Sequence, residues 1–402
     1  MIENLQPDDH NAADDEGDEA GLWIERLSLN AYRNYASATI TPGGKSVVLV
    51  GPNGAGKTNL LEAVSLLVPG QGLRRAAYAD IARMNGNGAW AVAAKVHTRH
   101  GLVDIGTGQQ SPQPGVRAPS GRIVRIDGNP QGSSGVLAEY IEAVWLTPAM
   151  DGLFTGPAAE RRRFLDRLVL CFDPGFRTLA SRFERAMQSR NKLLSDGVRD
   201  DAQLRGVELV MAEAGAAVAA ARYSTVVKLA AVIEQRLQRA PDSPFPWSRI
   251  RIEGTLENEL INAAAVDVED AYARRLSQSR ERDRAASRTL EGPHRSDLIV
   301  HHGPKDMPAR LSSTGEQKAL LIGLILAEAE LIAARHGGAG PLILLDEITA
   351  HLDEHRRAAL FDEILRLGGQ AWMTGTDRES FAALADRAVF FEVSGAQLTR
   401  LS

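Results

Sequence analysis

A glycine-rich segment between a strand-like run and an amphipathic helix constrains the fold of this chain more than any other feature. The eight residues Gly51–Thr58 read Gly-Pro-Asn-Gly-Ala-Gly-Lys-Thr. The apolar run Ser46–Val50 precedes them, and apolar residues three or four positions apart follow them. This order of strand, glycine-rich turn and helix predicts a loop whose backbone N–H groups and helix N-terminus hold phosphate groups. We therefore expect an α/β protein built around a phosphate-binding loop.

The loop residues have distinct expected roles. Glycines allow the backbone N–H groups to turn inward, Lys57 should reach the β and γ phosphates of ATP, and the Thr58 hydroxyl should ligate Mg²⁺. The predicted ATP-binding residues are Gly51, Pro52, Asn53, Gly54, Ala55, Gly56, Lys57 and Thr58. The alternative is a fortuitous glycine-rich turn, which the flanking strand and helix disfavour.

Two carboxylates follow a buried-strand pattern far along the chain. Four apolar residues, Leu342–Leu345, precede Asp346 and Glu347. Such a strand would direct Asp346 at the Mg²⁺ ion and leave Glu347 to polarise the attacking water, so Lys57, Asp346 and Glu347 are the predicted catalytic residues. A surface turn is the alternative interpretation of the acidic pair alone. Asp346 lies 288 positions after Thr58, which predicts a large insertion in the nucleotide-binding fold.

A third motif precedes a long apolar-periodic helix. Leu311–Lys318 reads Leu-Ser-Ser-Thr-Gly-Glu-Gln-Lys and resembles the S-x-G-x-Q signature of ABC ATPases. A serine, a glycine and a helix N-terminus form an anion-binding end, although the same pattern also describes an ordinary helix N-cap. The resemblance implies that this end closes over the γ-phosphate bound by a second subunit. The predicted signature residues are Ser313, Thr314, Gly315, Glu316 and Gln317, and Leu352 and Asp353 resemble the D-loop of such a dimer.

The remaining pattern predicts an α/β fold interrupted by helices. Strand-like alternation marks 22–50 and 88–127, helical patterns occupy about 157–240 and 259–289, and strand signals return from 292. We expect a P-loop ATPase head of the ABC/SMC type, with an antiparallel β subdomain and an inserted helical lobe. The predicted divisions are a disordered acidic tail at 1–21, ATPase lobe at 22–152, helical lobe at 153–290 and ATPase lobe again at 291–402.

Several segments resemble motifs of the RecF family of recombination mediators. Leu27–Tyr35 resembles its N-F-R-N-Y motif, Gly156–Asp166 its G-x-P-x-x-R-R-R-F-L-D segment, and Glu291–Leu298 its G-P-H-R-D-D-L motif. With the signature, the acidic strand end and Thr374–Asp377, the resemblance runs in order from about 22 to about 395.

This resemblance implies a slow, DNA-stimulated ATPase that forms a homodimer on binding ATP. It further implies binding to double-stranded DNA near single-strand gaps and loading of RecA with the partners RecR and RecO. DNA repair, recombination, the SOS response and maintenance of replication forks follow from that role. The implied location is the cytoplasm, in association with the nucleoid.

The charge pattern is compatible with a nucleic-acid partner. The first twenty residues contain eight acidic side chains and no lysine or arginine, whereas the rest of the chain contains 46 lysines and arginines and 43 acidic residues. Nine basic and four acidic residues lie in 155–195, and from this segment Arg161, Arg162 and Arg163 are the candidate DNA contacts. Solvated helix faces paired with their own acids are the alternative.

Three other functions are alternatives to this one. An ABC transporter ATPase subunit would have a switch histidine, but this chain has Thr374 and Thr376 there. Other SMC-like heads need long heptad arms or a Cys-x-x-Cys hook, and Cys171 is the only cysteine. The third is a nucleotide-gated DNA clamp that hydrolysis merely resets. A stretch of about 18 apolar residues and a signal-peptide pattern are both missing, so we expect neither a membrane span nor export.

Overall fold

The computed structural model describes residues 21–111, 121–350 and 352–401. The predicted acidic tail, apart from its last residue, lies outside these ranges. Within them the strands are β1 Trp23–Tyr32, β2 Tyr35–Ile40, β3 Ser46–Val50, β4 Trp90–Thr98, β5 Gly101–Gln109, β6 Ile123–Ile126, β7 Asn129–Gln131, β8 Ala143–Leu146, β9 Ser248–Glu253, β10 Asp297–His302, β11 Met307–Pro308, β12 Leu342–Leu345, β13 Ala371–Gly375, β14 Ala388–Ser394 and β15 Gln397–Leu401.

The helices of the described residues are α1 Lys57–Ser65, α2 Ala158–Phe172, α3 Phe176–Ser195, α4 Asp201–Arg239, α5 Thr255–Glu259, α6 Ala265–Gln278, α7 Arg280–Ala285, α8 Thr314–Arg335 and α9 Glu354–Arg366. The predicted strand, loop and helix around 46–65 are confirmed, as is the strand at Leu342–Leu345. The predicted helical region is confirmed as α2 to α7, but it also contains the strand β9.

A mostly parallel sheet carries the phosphate-binding loop. Its strand order is β15-β14-β3-β13-β12-β8, and β3 is parallel to both of its neighbours. Side chains of β3 alternate between two cores: Val48 and Val50 pack with the helical side, and Val47 and Leu49 pack with the antiparallel β subdomain. Because both faces are covered, the strand is apolar at almost every position.

The antiparallel β subdomain lies on one side of this sheet. Its strand order is β2-β1-β4-β5-β6-β7, which confirms the predicted β subdomain. Buried and exposed residues alternate along β4, as expected for a strand with one buried face. Trp90, Val92, Ala94 and Val96 supply the buried positions.

A smaller sheet connects the helical segment to the returning chain. Its order is β11-β10-β9, and the pairing of Asp297 with Glu253 begins the contact between β10 and β9. This sheet therefore joins residues from both sides of the division expected at 290.

One helix of the described residues, α4, is long and apolar enough by length and composition to cross a membrane. In this protein α4 packs against α3, α6 and α8, and half of its most apolar window is buried. It also contributes Glu208 and Arg222 to buried ion pairs. These contacts are typical of a core helix of a folded lobe.

A buried arginine ties the helical lobe together. The side chain of Arg190, on α3, is fully buried. Its guanidinium lies 3.1 Å from Glu208 of α4 and 2.7 Å from Asp283 of α7. It also donates to the hydroxyl of Thr289 at 2.9 Å. A charge without water is stable only with such partners, so this network holds three helices in one arrangement.

We predict that Arg190→Met destabilises the protein by about 3–5 kcal/mol, because it leaves two buried carboxylates short of a partner. The measurement is the free energy of unfolding in urea. The matched control is Arg205→Met, which removes an exposed ion pair with Asp201 and should cost less than about 1 kcal/mol. Equal effects of the two substitutions would contradict the structural role of Arg190.

Candidate nucleotide-binding and hydrolysis site

Close contacts around the phosphate-binding loop explain why two of its positions require glycine. Gly51 has a φ of 142°, and a Cβ atom there would lie 2.2 Å from the Val393 carbonyl oxygen of β14. Gly56 has a φ of 118°, and a Cβ atom there would lie 2.6 Å from the Tyr35 hydroxyl. Neither position admits a side chain, because backbone or ring atoms occupy the space. The loop is thus held close to β14 on one side and to β2 on the other.

The Lys57 ammonium lies over the loop. Only 5% of this residue is exposed, and its Nζ atom donates to the carbonyl oxygens of Gly51 at 2.6 Å and Pro52 at 3.0 Å. Burial lowers the pKa of Lys57, while the carboxylates of Glu347 and Asp346 oppose that effect. A poorly hydrated ammonium at this position is suited to bind phosphate oxygens.

Asp346 connects the loop to the acidic strand end. Its Oδ1 atom accepts a hydrogen bond from the Thr58 hydroxyl at 2.9 Å and another from the Thr374 hydroxyl at 2.8 Å. These residues follow or end three strands of the parallel sheet, β3, β12 and β13. The predicted association of Thr58 with Asp346 is therefore present in the structure, across 288 positions of sequence.

Glu347 is held by its backbone. Its N–H donates to the Thr374 hydroxyl at 2.8 Å, and its carbonyl oxygen accepts from Nζ of Lys318 at 3.2 Å. Its φ of 49° is in the left-handed region, which is uncommon for a residue with a side chain. The side chain lines a cleft that Asn53 and Asp377 also border. Because Asn53 belongs to the loop, this cleft lies directly beside the loop.

Sequence reasoning missed the role of Thr374, which it considered only as a replacement for a switch histidine. This residue is fully buried on β13 and contacts both Asp346 and the backbone of Glu347. It follows an apolar run in a parallel strand, and this position at the carboxyl end of the sheet was the available signal.

The motif at Arg33–Tyr35 also has a role that the sequence did not reveal. Asn34 Nδ2 donates to the Ala55 carbonyl oxygen at 3.0 Å, and the Tyr35 hydroxyl donates to the Gly56 carbonyl oxygen at 3.1 Å. Arg33 forms a bidentate pair with Glu62 of α1, with distances of 2.8 and 2.6 Å. The motif therefore stabilises the phosphate-binding loop, through the carbonyl oxygens of Ala55 and Gly56, and the following helix α1, through Glu62.

The signature segment forms a capping box at the start of α8. Ser313 Oγ accepts from the N–H of Glu316, and the Glu316 carboxylate accepts from the N–H of Ser313 at 3.1 Å. The Lys305 ammonium, 2.7 Å from Glu316, lowers the pKa of that carboxyl to about 2. The N-cap interpretation is thus confirmed, while the predicted contact with a second subunit stays a prediction. The two roles are compatible, since a hydroxyl that accepts here keeps its proton to donate elsewhere.

The predicted D-loop residues have local partners. Leu352 is buried in the core, and Asp353 caps α9 by accepting from the N–H of Arg356 at 2.8 Å. His351, between them and Ala350, lies outside the described residues. The placement of this segment across a dimer interface stays a prediction.

Arg161 and Arg162 are engaged inside the protein. Arg161 pairs with both oxygens of Asp297, at 2.7 and 2.8 Å, and donates to the Gly156 carbonyl oxygen at 2.7 Å. Arg162 donates to the Ser296 carbonyl oxygen at 2.7 Å, and burial lowers its pKa. These contacts give both residues a structural role between α2 and β10, and their contact with DNA stays a prediction.

Arg163 differs from its two neighbours. Its side chain is 55% exposed and lies 3.7 Å from Glu160. Asp166, three residues further along α2, forms a bidentate pair with Arg222 at 2.7 and 3.0 Å and not with Arg163. Of the three candidate residues, Arg163 alone therefore keeps a largely exposed guanidinium.

The phosphate-binding loop, the acidic strand end and the capped helix on this two-cored sheet define a P-loop ATPase head of the ABC/SMC type. In agreement, the family model of the RecF/RecN/SMC N terminal domain matches residues 23–391. The chain belongs to the RecF family: it is 54% identical over 375 residues to the "DNA replication and repair protein RecF" of Mesorhizobium japonicum, covering 93% of this chain and 97% of that protein. The protein of the same name from Brucella suis biovar 1 is 53% identical over 378 residues, or 94% of this chain and 96% of the relative.

Solved structures agree on the fold. The recombination mediator protein RecF-ATPrS superimposes with a TM-score of 0.81 at 20% identity, covering 95% of this chain and 99% of that chain. The Smc head domain from Pyrococcus furiosus gives a TM-score of 0.53 at 17% identity, covering 95% and 96%. Membership of the RecF family rules out the transporter subunit and favours RecF over the other SMC-like heads.

We predict that Thr374→Val lowers the rate of ATP hydrolysis about tenfold or more, with little change in ATP affinity. The valine is similar in size, but it leaves the N–H of Glu347 without a partner and removes one of the two hydrogen bonds that Asp346 Oδ1 accepts. Single-turnover hydrolysis and nucleotide-binding titrations measure the two effects separately. Thr374→Ser is the control, because it keeps the hydroxyl and should retain most of the activity. Equal rates for Val and wild type would contradict this role.

Proposed function

We propose that this protein is an ATP-dependent DNA-repair ATPase that dimerises on ATP and binds duplex DNA at single-strand gaps. The observation that carries the proposal is the single Asp346 carboxylate bonded to both Thr58 and Thr374, at 2.9 and 2.8 Å. This contact puts the phosphate-binding loop and the acidic strand end into one site. The names of the relatives and of the RecF-ATP structures support the same function.

The residues of the site fit a Mg²⁺ ion. The Thr58 hydroxyl and the Asp346 carboxylate are hard oxygen donors, and they lie 2.9 Å apart beside the loop. In the proposed enzyme these two residues hold the ion directly or through water. Bound there with ATP, Mg²⁺ would neutralise part of the charge that develops on the phosphates.

The proposed hydrolysis depends on two groups of this chain. Lys57 binds the β and γ phosphate oxygens, exchanging its bonds with loop carbonyls for charge-assisted bonds with phosphate. Glu347 orients the attacking water and accepts its proton as the new oxygen–γ-phosphorus bond forms, while the bond from the γ-phosphorus to the bridging oxygen breaks and ADP leaves. Turnover is proposed to be slow and stimulated by DNA, so that hydrolysis acts as a switch that ends the bound state.

Exposed groups at the start of α8 support the proposed dimer. Ser313 is exposed, and Leu311 beside it is 58% exposed although it is a large apolar residue. An apolar side chain next to a helix N-terminus gains stability if a second subunit covers it. We propose that Ser313 and Gly315 contact the γ-phosphate bound by the partner, with the 350–353 segment across the interface.

The helix α3 provides the proposed DNA-binding surface. Arg177, Arg185 and Lys192 are exposed, and within the described residues none of them forms an ion pair. Their spacing of eight and seven residues puts them on one helix face over about 22 Å. Glu184 on the same face leaves a net positive stripe, which suits the phosphates of duplex DNA without reading its sequence.

The proposed partners follow from the family. We propose that the protein acts with RecR and RecO to load RecA on gapped DNA, in the SOS response and in maintenance of replication forks. The description of the solved relatives as recombination mediators in the RecFOR pathway supports this assignment.

We predict that Glu347→Gln accumulates as an ATP-bound dimer, because the amide cannot accept the proton of the attacking water. Sedimentation velocity with ATP and Mg²⁺ measures the dimer. Adding Ser313→Arg to the same variant should return it to the monomer with ATP still bound, since the arginine fills the contact with the partner's nucleotide. The control is Lys57→Met, which should lose ATP binding and the dimer together. A persistent monomer of Glu347→Gln at saturating ATP would refute the proposed dimer.

We predict that Arg177→Gln, Arg185→Gln and Lys192→Gln each weaken binding to gapped duplex DNA and lower the slope of log K against log salt by about one. Fluorescence anisotropy at several salt concentrations measures both quantities. Arg182→Gln on the same helix is the control, because Arg182 is already neutralised by Glu213 at 2.7 Å. Salt slopes that do not change in any of the three variants would exclude this surface.

A further inference from the structure

A buried lysine on α8 contacts the backbone of the catalytic glutamate. Lys318 is five residues after Ser313 and is only 4% exposed. Its Nζ atom donates to the Glu347 carbonyl oxygen at 3.2 Å. Burial lowers the pKa of Lys318, and the carboxylates of Asp151 and Glu347 act in the opposite direction. Burying an ammonium away from water costs free energy unless it has a hydrogen-bond partner. The Glu347 carbonyl oxygen is such a partner for Lys318.

The backbone of Glu347 is held from two directions. Thr374 accepts the hydrogen bond from its N–H at 2.8 Å, and Lys318 donates to its carbonyl oxygen. With a φ of 49°, the residue adopts a conformation that an L-amino acid rarely takes without such support. The two contacts therefore determine the direction in which the Glu347 carboxylate leaves the end of β12. The contact with Thr374 comes from the sheet, whereas the one with Lys318 comes from α8.

The same helix end faces two ATP sites in the proposed dimer. Its first residues, Ser313–Gly315, would contact the nucleotide bound by the partner subunit. Lys318, three residues after Gly315, contacts the chain's own Glu347. Any displacement of this helix end on contact with the partner's nucleotide must change the Lys318 contact, because a helix turn moves as a unit.

We propose that Lys318 is a positioning residue that couples the two ATP sites of the dimer, by linking the signature end of α8 to the backbone of Glu347. This inference rests on the proposed ATP-dependent dimer. ATP bound at one site fixes the α8 end of the opposite subunit, and Lys318 then orients Glu347 at the second site. The coupling is reciprocal in a symmetric dimer, so hydrolysis depends cooperatively on ATP concentration.

The test compares Lys318→Met with a matched variant on the same helix. Arg335→Met is the control, because Arg335 also donates from a cation to backbone oxygens, those of Cys171 and Phe172, but at the far end of α8. For Lys318→Met we expect an ATP-dependent dimer in sedimentation, a kcat reduced about tenfold and a Hill coefficient that falls from about two to about one. For Arg335→Met we expect a Hill coefficient equal to that of the wild type.

A second variant separates positioning from folding. Lys318→Gln keeps a hydrogen-bond donor of similar shape, so it should recover part of the cooperativity, and it replaces Lys318→Met if that protein does not fold. The coupling would be overturned if folded Lys318→Met kept the turnover and cooperativity of the wild type. It would also be overturned if the wild-type protein formed the dimer but hydrolysed ATP without cooperativity. Loss of the dimer in Lys318→Met would overturn it too, by placing the lysine in the interface. A wild-type protein that stays monomeric with ATP would instead reject the proposed function itself.

Discussion

The carboxylate of Asp346 is the contact on which the rest of the site depends. It is almost fully buried, so its charge requires donors, and two threonine hydroxyls supply them, one from the start of α1 and one from β13. One hydroxyl belongs to the phosphate-binding loop and the other supports the backbone of Glu347. The proposed phosphate binding, metal coordination and water activation would therefore all depend on the position of this single side chain. The phosphate-binding loop and the acidic strand end are brought together by the parallel sheet, in which β13 pairs with both β3 and β12. A long insertion between them in the sequence therefore leaves the site intact.

Local patterns predicted those parts of the fold in which neighbouring residues decide the structure. The five residues of β3 are buried on both faces, and such a run followed by glycines and a helix has few other solutions. The same applies to the four apolar residues before Asp346 and to the capping box at Ser313. In each case the hydrogen bonds or the burial pattern involve residues close together in sequence.

Partners that come from distant segments could not be predicted in the same way. Arg161 is one of three consecutive arginines, and only the fold shows that Asp297 neutralises it. Counting charges cannot distinguish such a paired residue from Arg177, which is exposed on α3. Thr374 and Lys318 carry no motif of their own, since their roles arise from the backbone position of Glu347. The strand β9 could not be predicted from its own segment, because its partner β10 follows α6 and α7 in the sequence.

The position of β3 in the sheet has a consequence for synthesis on the ribosome. Its two neighbours, β13 and β14, are formed by residues 371–375 and 388–394. During translation the apolar β3 segment therefore emerges more than three hundred residues before the strands that cover its edges. The sheet around β3 cannot form until residues 371–394 have been made, and until then the nascent chain must keep this apolar segment from aggregating. A chain truncated before β13 would lack both strands that flank β3, so its phosphate-binding loop would have no sheet to hold it.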